Sequence, residues 1–491
     1  MRMRLNWKVI VSFWGALLMI NGVFMFLAII PGVLMHNDFG WKALLIAGVA
    51  NVLTGGLMQV FSQTEDKNIA KREGFLIVSV GWVFLTLGGC LPYLISSTIP
   101  TIPSAIFETI SGYTTTGASV LNDIESVSPA ILTWRSITHW IGGMGIIVLT
   151  VAILPILGIG GMQLFSAEAP GVTTDKLHPR ITDTAKRLWF IYVGMTVAET
   201  ILLRLAGMNW FDAINHSMAT VSTGGFSTKN ESIAAFENPL IHYIIIFFMF
   251  MSGVNFALTY WGLKGKLDKI YKNQEFRFYL FITLFITLVS TGILMLNGTT
   301  DWGLEQSFRN SLFQVIAFIT TTGFVTADLT NIEGAFMLKV IFFFLLFMGG
   351  SAGSTAGGIK IVRHLVIFKN SWLEFKRLLH PSGIIPVRYN GNSVHGRITF
   401  NVMAFIIIYL MIFGFGSIVM SLTGLDFETA IGATATSIGN VGPSIGGVCP
   451  VCNFSGISAF GQLFLSFLML IGRLEIFTVL ILFTPFFWRR N

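Results

Sequence analysis

Apolar residues along this chain gather into long runs separated by short polar segments. Ten runs can be placed, at 9–34, 41–61, 75–97, 130–157, 188–207, 239–262, 277–297, 334–368, 398–422 and 458–487. Each is long enough to cross about 30 Å of hydrocarbon as a helix. The segments between them are asymmetric in charge. With the N-terminus inside, the inner segments are 1–8, 62–74, 158–187, 263–277, 359–397 and the last three residues, and they hold 24 of the 31 Lys and Arg. Such a bias marks cytoplasmic loops, so both termini are expected in the cytoplasm and the number of spans is expected to be even. The first run follows Arg2, Arg4 and Lys8 but is too long for a signal core and lacks a small-residue cleavage site, so it reads as a retained span.

The outer segments follow another rule. From the third span onward each contains a short semi-polar stretch with helical spacing that ends in small and hydroxyl residues: TTTGAS at 114–119, STGGFS at 222–227, TTTGFV at 320–325 and SIGNVG at 437–442. Taking Gly117, Gly224, Gly323 and Gly439 as corresponding positions gives spacings of 107, 99 and 116 residues. A second landmark lies in the span after each loop: WIGGMG at 140–145, FMSGVN at 250–255, FMGGSAG at 347–353 and LIGRLE at 470–475. It aligns Gly143, Gly253, Gly350 and Arg473. The expected organisation is therefore two leading spans in 1–74, then four repeats of span, re-entrant loop and span at 75–157, 158–262, 263–368 and 369–491.

Composition agrees and narrows the function. The chain is 53% hydrophobic and only 11% charged, which excludes a water-soluble fold. Three cysteines make no disulfide scaffold. Cys449 and Cys452, in CPVC, are expected outside, where a strained local disulfide is open to them, and Cys90 reads as span packing. The eight histidines show no metal-ligand spacing, and no catalytic constellation is present, so an enzyme is not expected. The net charge of +7 reports topology rather than nucleic-acid binding.

Backbone at membrane depth is tolerated outside helices only where it is buried or lines a water-filled path. Four such loops around one axis would present carbonyls that can replace the hydration shell of an ion, and glycine lets the backbone approach closely. The flanking Thr115, Thr116, Ser222, Thr223, Thr321 and Thr322 add hydroxyls, while the fourth loop departs from the Thr-Thr-Gly pattern, with Ile438 before Gly439 and Asn440 after it. Arg473 is a charge in mid-span, which is costly unless it is paired or faces water. Two readings stay open for it: a positive charge on the cation path, or a structural pair with Glu475 or a backbone carbonyl. Gly349, Gly350, Gly353, Gly357 and Gly358 lie in one ten-residue run. Such a run breaks a helix and leaves backbone able to move; close helix packing is the alternative. No Gly-Lys-Ser/Thr follows, so it is not a nucleotide loop. Outer acids including Glu108, Asp123, Glu125, Asp212, Glu305, Asp426 and Glu428 would concentrate cations.

On these motifs the chain resembles the Trk/Ktr/HKT superfamily of potassium transporters, and within it the TrkH-type bacterial membrane subunits, over essentially its whole length. The resemblance implies an all-α membrane protein with pseudo-fourfold symmetry around one pore and carries the filter glycines onto Gly117, Gly224, Gly323 and Gly439. In that family Ser at the first position accompanies sodium permeation and Gly at all four accompanies potassium. It further implies that Arg473 is an electrostatic barrier and that 349–358 is an intramembrane gating loop under the filter. Potassium would be the transported ion, with no organic cofactor. The partners implied are a second copy, a cytoplasmic nucleotide-binding subunit of the TrkA type and the lipid of the bacterial inner membrane. The rival reading is a secondary active transporter, coupled to protons or sodium or carrying an organic solute, with binding at broken helices.

Overall fold

The structure, a computed structural model, describes residues 5–35, 40–64, 71–143, 145, 181–297, 302–330, 332, 336–394 and 396–489. The second half of the expected span 130–157, most of the expected inner segment 158–187 with Lys176 and Arg180, and Lys67, Asp301 and Arg490 lie outside the described residues. Six described helices are long and apolar enough to cross a membrane: Trp7–Leu34, Gly40–Phe61, Arg72–Ile95, Lys186–Leu205, Gln274–Asn297 and Gly396–Leu422. Two more expected spans are broken rather than straight. Pro239–Ser252 with Phe256–Leu263, and Ala459–Arg473 with Phe477–Phe483, each turn by 109° at a short break.

The expected span at 334–368 is not one helix. Phe336–Leu345 stops after ten residues, and a new helix, Ile361–Leu379, begins only after the glycine run. The run fails to propagate the helix for the reason its composition suggests, since glycine carries the largest backbone entropy cost of any residue in a helix interior. Among the described residues the only strands are two-residue pieces, Arg388–Tyr389 paired antiparallel with Asn392–Ser393.

The two leading helices pack closely through small residues. A Cβ on Gly15 would meet Gly55 O at 2.7 Å, and one on Gly22 would meet Gly48 O at 2.7 Å, the close backbone approach that small residues allow between membrane helices. A buried polar chain then ties this pair to the first repeat. Asn51 Nδ2 donates to Gly88 O (3.2 Å), Asn21 Nδ2 donates to Asn51 Oδ1 (3.4 Å), and the Tyr113 hydroxyl donates to Asn21 Oδ1 (2.5 Å). In a low-dielectric interior such groups are costly when unpaired, so the network fixes one register. Large apolar side chains such as Phe61 and Leu296 face outward and are exposed, as they would be against lipid.

Candidate ion pathway

Four short helices, Ile102–Tyr113, Trp210–Val221, Leu304–Ile319 and Phe427–Gly439, lie in connections between the spans. They share a C-terminal geometry. At each end one non-glycine residue takes a left-handed φ: Thr115 (+52°), Thr223 (+56°), Thr321 (+55°) and Asn440 (+54°). Its N–H donates three residues back, to Gly112, Thr220, Phe318 and Ser437 O, and the following N–H donates five residues back from its own position, to Ser111, Ala219, Ala317 and Thr436 O. This resembles the Schellman C-cap, built here with β-branched threonine in three of four places. A positive φ is sterically unfavourable for such a residue and persists only where the surroundings over-determine it.

Two residues beyond each left-handed residue stands a glycine with positive φ: Gly117 (+82°), Gly225 (+80°), Gly323 (+75°) and Gly442 (+96°). These four form a closed ring. A Cβ on Gly117 would meet Gly224 O at 2.2 Å; one on Gly225 would meet Thr322 O at 1.9 Å; one on Gly323 would meet Val441 O at 2.1 Å; and one on Gly442 would meet Thr116 O at 2.5 Å. Each glycine thus abuts the carbonyl of the residue preceding the corresponding glycine in the next repeat. No side chain fits at any of the four.

The register of the ring differs from the sequence alignment in two repeats. Gly224 and Gly439 do not correspond to Gly117 and Gly323; Gly225 and Gly442 do. Gly224 is needed for another reason, because a Cβ there would meet the His139 ring at 2.3 Å, and Gly439 ends its helix against Leu346 O at 2.6 Å. Thr116, Gly224, Thr322 and Val441 occupy the position just before each ring glycine. Ser222 and Ile438 sit in the helix ends rather than in the ring. Asn440, the fourth left-handed residue, donates through Nδ2 to Thr116 Oγ1 (3.0 Å) and to Met469 O (2.9 Å), joining the fourth segment to the first.

With the corrected register a further series appears, seven residues before each left-handed residue: Glu108, His216, Gln314 and Ala433. Glu108 accepts from Ser119 Oγ (3.0 Å) and His216 Nε2 bonds Ser227 Oγ (2.9 Å), the serine two residues after its ring glycine in each case. Repeat 3 has Val325 there, and the buried Gln314 amide has no hydrogen-bond partner.

Below the ring, the glycine run folds back on itself: Gly349 N–H donates to Ile359 O (2.9 Å) and Ile361 N–H donates to Gly350 O (3.1 Å). Its turn is gripped from the second and third repeats. Thr355 Oγ1 donates to Val221 O (3.1 Å) and Ser252 O (3.3 Å), Gly357 N–H donates to Thr321 Oγ1 (2.6 Å), and Ser351 N–H donates to Gly253 O (2.8 Å). Arg473 reaches the same turn. Its Nη1 donates to Thr355 O (2.8 Å) and its Nη2 to Gly142 O (2.5 Å) and Gly143 O (3.0 Å). Glu475, one partner offered for Arg473, pairs with Arg363; the hydrogen bonds shown for Arg473 go to backbone carbonyls, the other partner offered. Gly143 and Gly253 hold matching places, against Ser222 and Thr320 and beside the Tyr192 and Tyr279 hydroxyls, while Gly350 packs inside the folded run. Glu275, absent from the sequence reading, accepts from Ala352 N–H (2.7 Å) and from the Tyr389 hydroxyl (3.3 Å), linking the run to the small hairpin.

The outer acids are mostly engaged. Glu125 pairs with Lys229 (3.2 Å), Glu305 with Arg309 (2.9 Å) and Glu428 with Lys339 (2.5 Å). Asp426 caps the fourth short helix, and the Thr429 hydroxyl and N–H hold its carboxyl below the usual carboxylate range. A hydrogen bond from the Asn230 side chain does the same for the exposed Asp123. Both therefore stay anionic to lower pH than a free aspartate. Cys449 and Cys452 are joined in a disulfide, and Cys90 is buried. Among the described residues no group of three or more His, Cys, Asp or Glu is arranged to hold a metal ion.

The family model for TrkH, described as a cation transport protein, matches residues 41–490. The chain belongs to the TrkH family. The relative named Trk system potassium uptake protein TrkH from Escherichia coli strain K12 is 40% identical over 466 residues, covering 94% of this chain and 95% of that one. The protein of the same name from Halomonas elongata is 38% identical over 486 residues, covering 98% and 99%. In three dimensions the chain is similar to the crystal structure of the potassium transporter TrkH from Vibrio parahaemolyticus, with a TM-score of 0.88 and 35% identity over 99% of this chain and 100% of that one. The TrkH relatives are named as transporters, not enzymes, and the all-helical membrane fold expected from the sequence is the one observed.

Proposed function

We propose that this protein takes up potassium across the bacterial inner membrane through a channel-like pore, with both termini in the cytoplasm. The observation that carries the reading is the closed ring of Gly117, Gly225, Gly323 and Gly442, each against a neighbour's carbonyl. Four short helices end at this ring, and the partial negative charge of helix C-termini favours a cation there. Carbonyls in such a ring can substitute for the water shed by an entering ion. The names of the TrkH relatives, potassium uptake proteins, support potassium as the ion.

Immediately beneath, Arg473 and the turn around Thr355 obstruct the path. Arg473 supplies a positive charge, and the glycine run supplies backbone able to rearrange, so together they form the gate. Glu275 and the 388–393 hairpin give the cytoplasmic side a handle on Ala352, which fits regulation by a nucleotide-binding TrkA-type subunit acting on a homodimer. A ring that closes around one axis favours a pore over a rocking carrier.

The test is flux of rubidium, potassium and sodium into liposomes holding only the purified protein, with and without a proton gradient. Selective downhill rubidium uptake without the gradient is expected. Uptake that strictly requires the gradient would favour the coupled carrier instead. Deleting residues 351–356 removes the turn that Arg473 and the short-helix end bind; flux is then expected to become independent of any added regulator, and a folded protein with no flux would count against the gate.

A further inference from the structure

Behind the ring, the first repeat holds a charged pair that lies off the path just described. Glu108 and Arg135 are buried, with side chains 0% and 1% exposed, and Arg135 Nε donates to Glu108 Oε1 at 2.8 Å. Removing two charges from water is tolerated when the remaining lone pairs and N–H groups are also satisfied, and here they reach for the ring segments. Glu108 accepts from Ser119 Oγ (3.0 Å) and Val120 N–H (2.9 Å), two and three residues beyond Gly117. Arg135 donates to Ser119 Oγ (3.2 Å) and to Ser227 O (3.2 Å), two residues beyond Gly225. Its guanidinium also lies 4.0 Å from the centre of the Phe226 ring. One ion pair therefore ties together the segments that follow the ring glycines of two adjacent quarters.

We infer that Glu108 and Arg135 are positioning residues that set the spacing between the first and second ring segments, and through it the discrimination between potassium and sodium. The inference rests on the pore reading. A stability role alone explains the pair poorly, because a buried ion pair is commonly no more stabilising than apolar side chains of similar volume. Nor is it a general feature of the repeat. Ile245, Phe342 and Leu465 stand where Arg135 stands, counted from the Gly143 column, and Glu108 is matched by His216, Gln314 and Ala433. The brace occurs once, at one seam. A smaller ion is penalised when the carbonyls cannot close in on it, and a charged fork bonded to both ring segments resists that closure.

The experiment compares rubidium with sodium uptake in liposomes for the full chain and for Glu108→Gln, Arg135→Lys and the double variant Glu108→Met with Arg135→Met, alongside thermal unfolding of each. Glu108→Gln is expected to lower the rubidium-to-sodium ratio about tenfold, a differential barrier of about 1.4 kcal/mol, while total cation flux persists. Arg135→Lys keeps the charge but not the fork and is expected to fall between. The double variant removes both charges at once and is expected to unfold near the wild-type temperature yet discriminate poorly. A double variant that keeps the wild-type ratio overturns the inference, even where the single variants fail to assemble. A wild type without selective uptake overturns the pore reading and this inference with it, whereas a selective wild type with equally selective variants overturns this inference alone.

Discussion

Alanine at position 473 is expected to raise downhill rubidium uptake by on the order of tenfold or more. Two unit charges 4 Å apart at an effective dielectric of 20 interact by about 4 kcal/mol, and each 1.36 kcal/mol of barrier is roughly tenfold in rate. Arg473 is partly exposed, which screens its charge, so tenfold is the conservative end of that range. Removing the guanidinium also frees the carbonyls of Gly142, Gly143 and Thr355 that it now occupies. Those three oxygens would then face a cation instead of a cation's repeller. Uptake kinetics on assembled protein check this. Unchanged flux would place the barrier elsewhere, and loss of assembled protein would make the three hydrogen bonds a structural requirement.

The second large effect is expected at Gly225. Alanine there would carry a Cβ 1.9 Å from Thr322 O on a backbone with φ of +80°. The left-handed conformation alone costs about 1–2 kcal/mol for a residue with a Cβ, and the forced contact adds about 1–3 kcal/mol more. The carbonyl that must give way belongs to the ring, so selective uptake should be lost as well as stability. Gly292 is the control. It lies inside the helix Gln274–Asn297 with nothing within 4 Å of an added Cβ, and Gly292→Ala should leave uptake unchanged and stability equal or slightly higher. Thermal unfolding and rubidium uptake on the two variants separate the outcomes; a Gly225→Ala protein as stable and selective as wild type would remove that residue from the ring.

Much of this architecture is written in the one-dimensional pattern. Apolar runs located most of the spans, and the clustering of glycine at 349–358 foretold the break between Phe336–Leu345 and Ile361–Leu379. The exact register of the ring was not legible. In STGGFS two adjacent glycines compete, and the sequence does not say that one serves the ring while the other makes room for His139. In SIGNVG the left-handed position is filled by Asn440, so a search for Thr-Thr-Gly settles on Gly439, three residues early. The hydrogen bonds reaching five residues back, which identify the position unambiguously, are properties of backbone geometry that side-chain identity does not encode. The same error hid the series Glu108, His216, Gln314 and Ala433, whose members align only once the left-handed residues do. Glu108 therefore read as one more outer acid, although it is buried against Arg135.

The four quarters of the ring are joined in a single polypeptide, and this has a genetic consequence. In a pore assembled from four identical copies, every substitution is made four times over, and an arginine beneath the filter would place four like charges within reach of one another. Here a codon changes one quarter only. That is how position 473 can be arginine while its counterparts at 143 and 253 remain glycine, and how the first repeat can carry a buried Glu108–Arg135 pair whose matching positions in the other repeats hold no such pair. Asymmetry of this kind is open to a fused repeat and closed to a symmetric tetramer, so each of the four segments can carry side chains that the others do without.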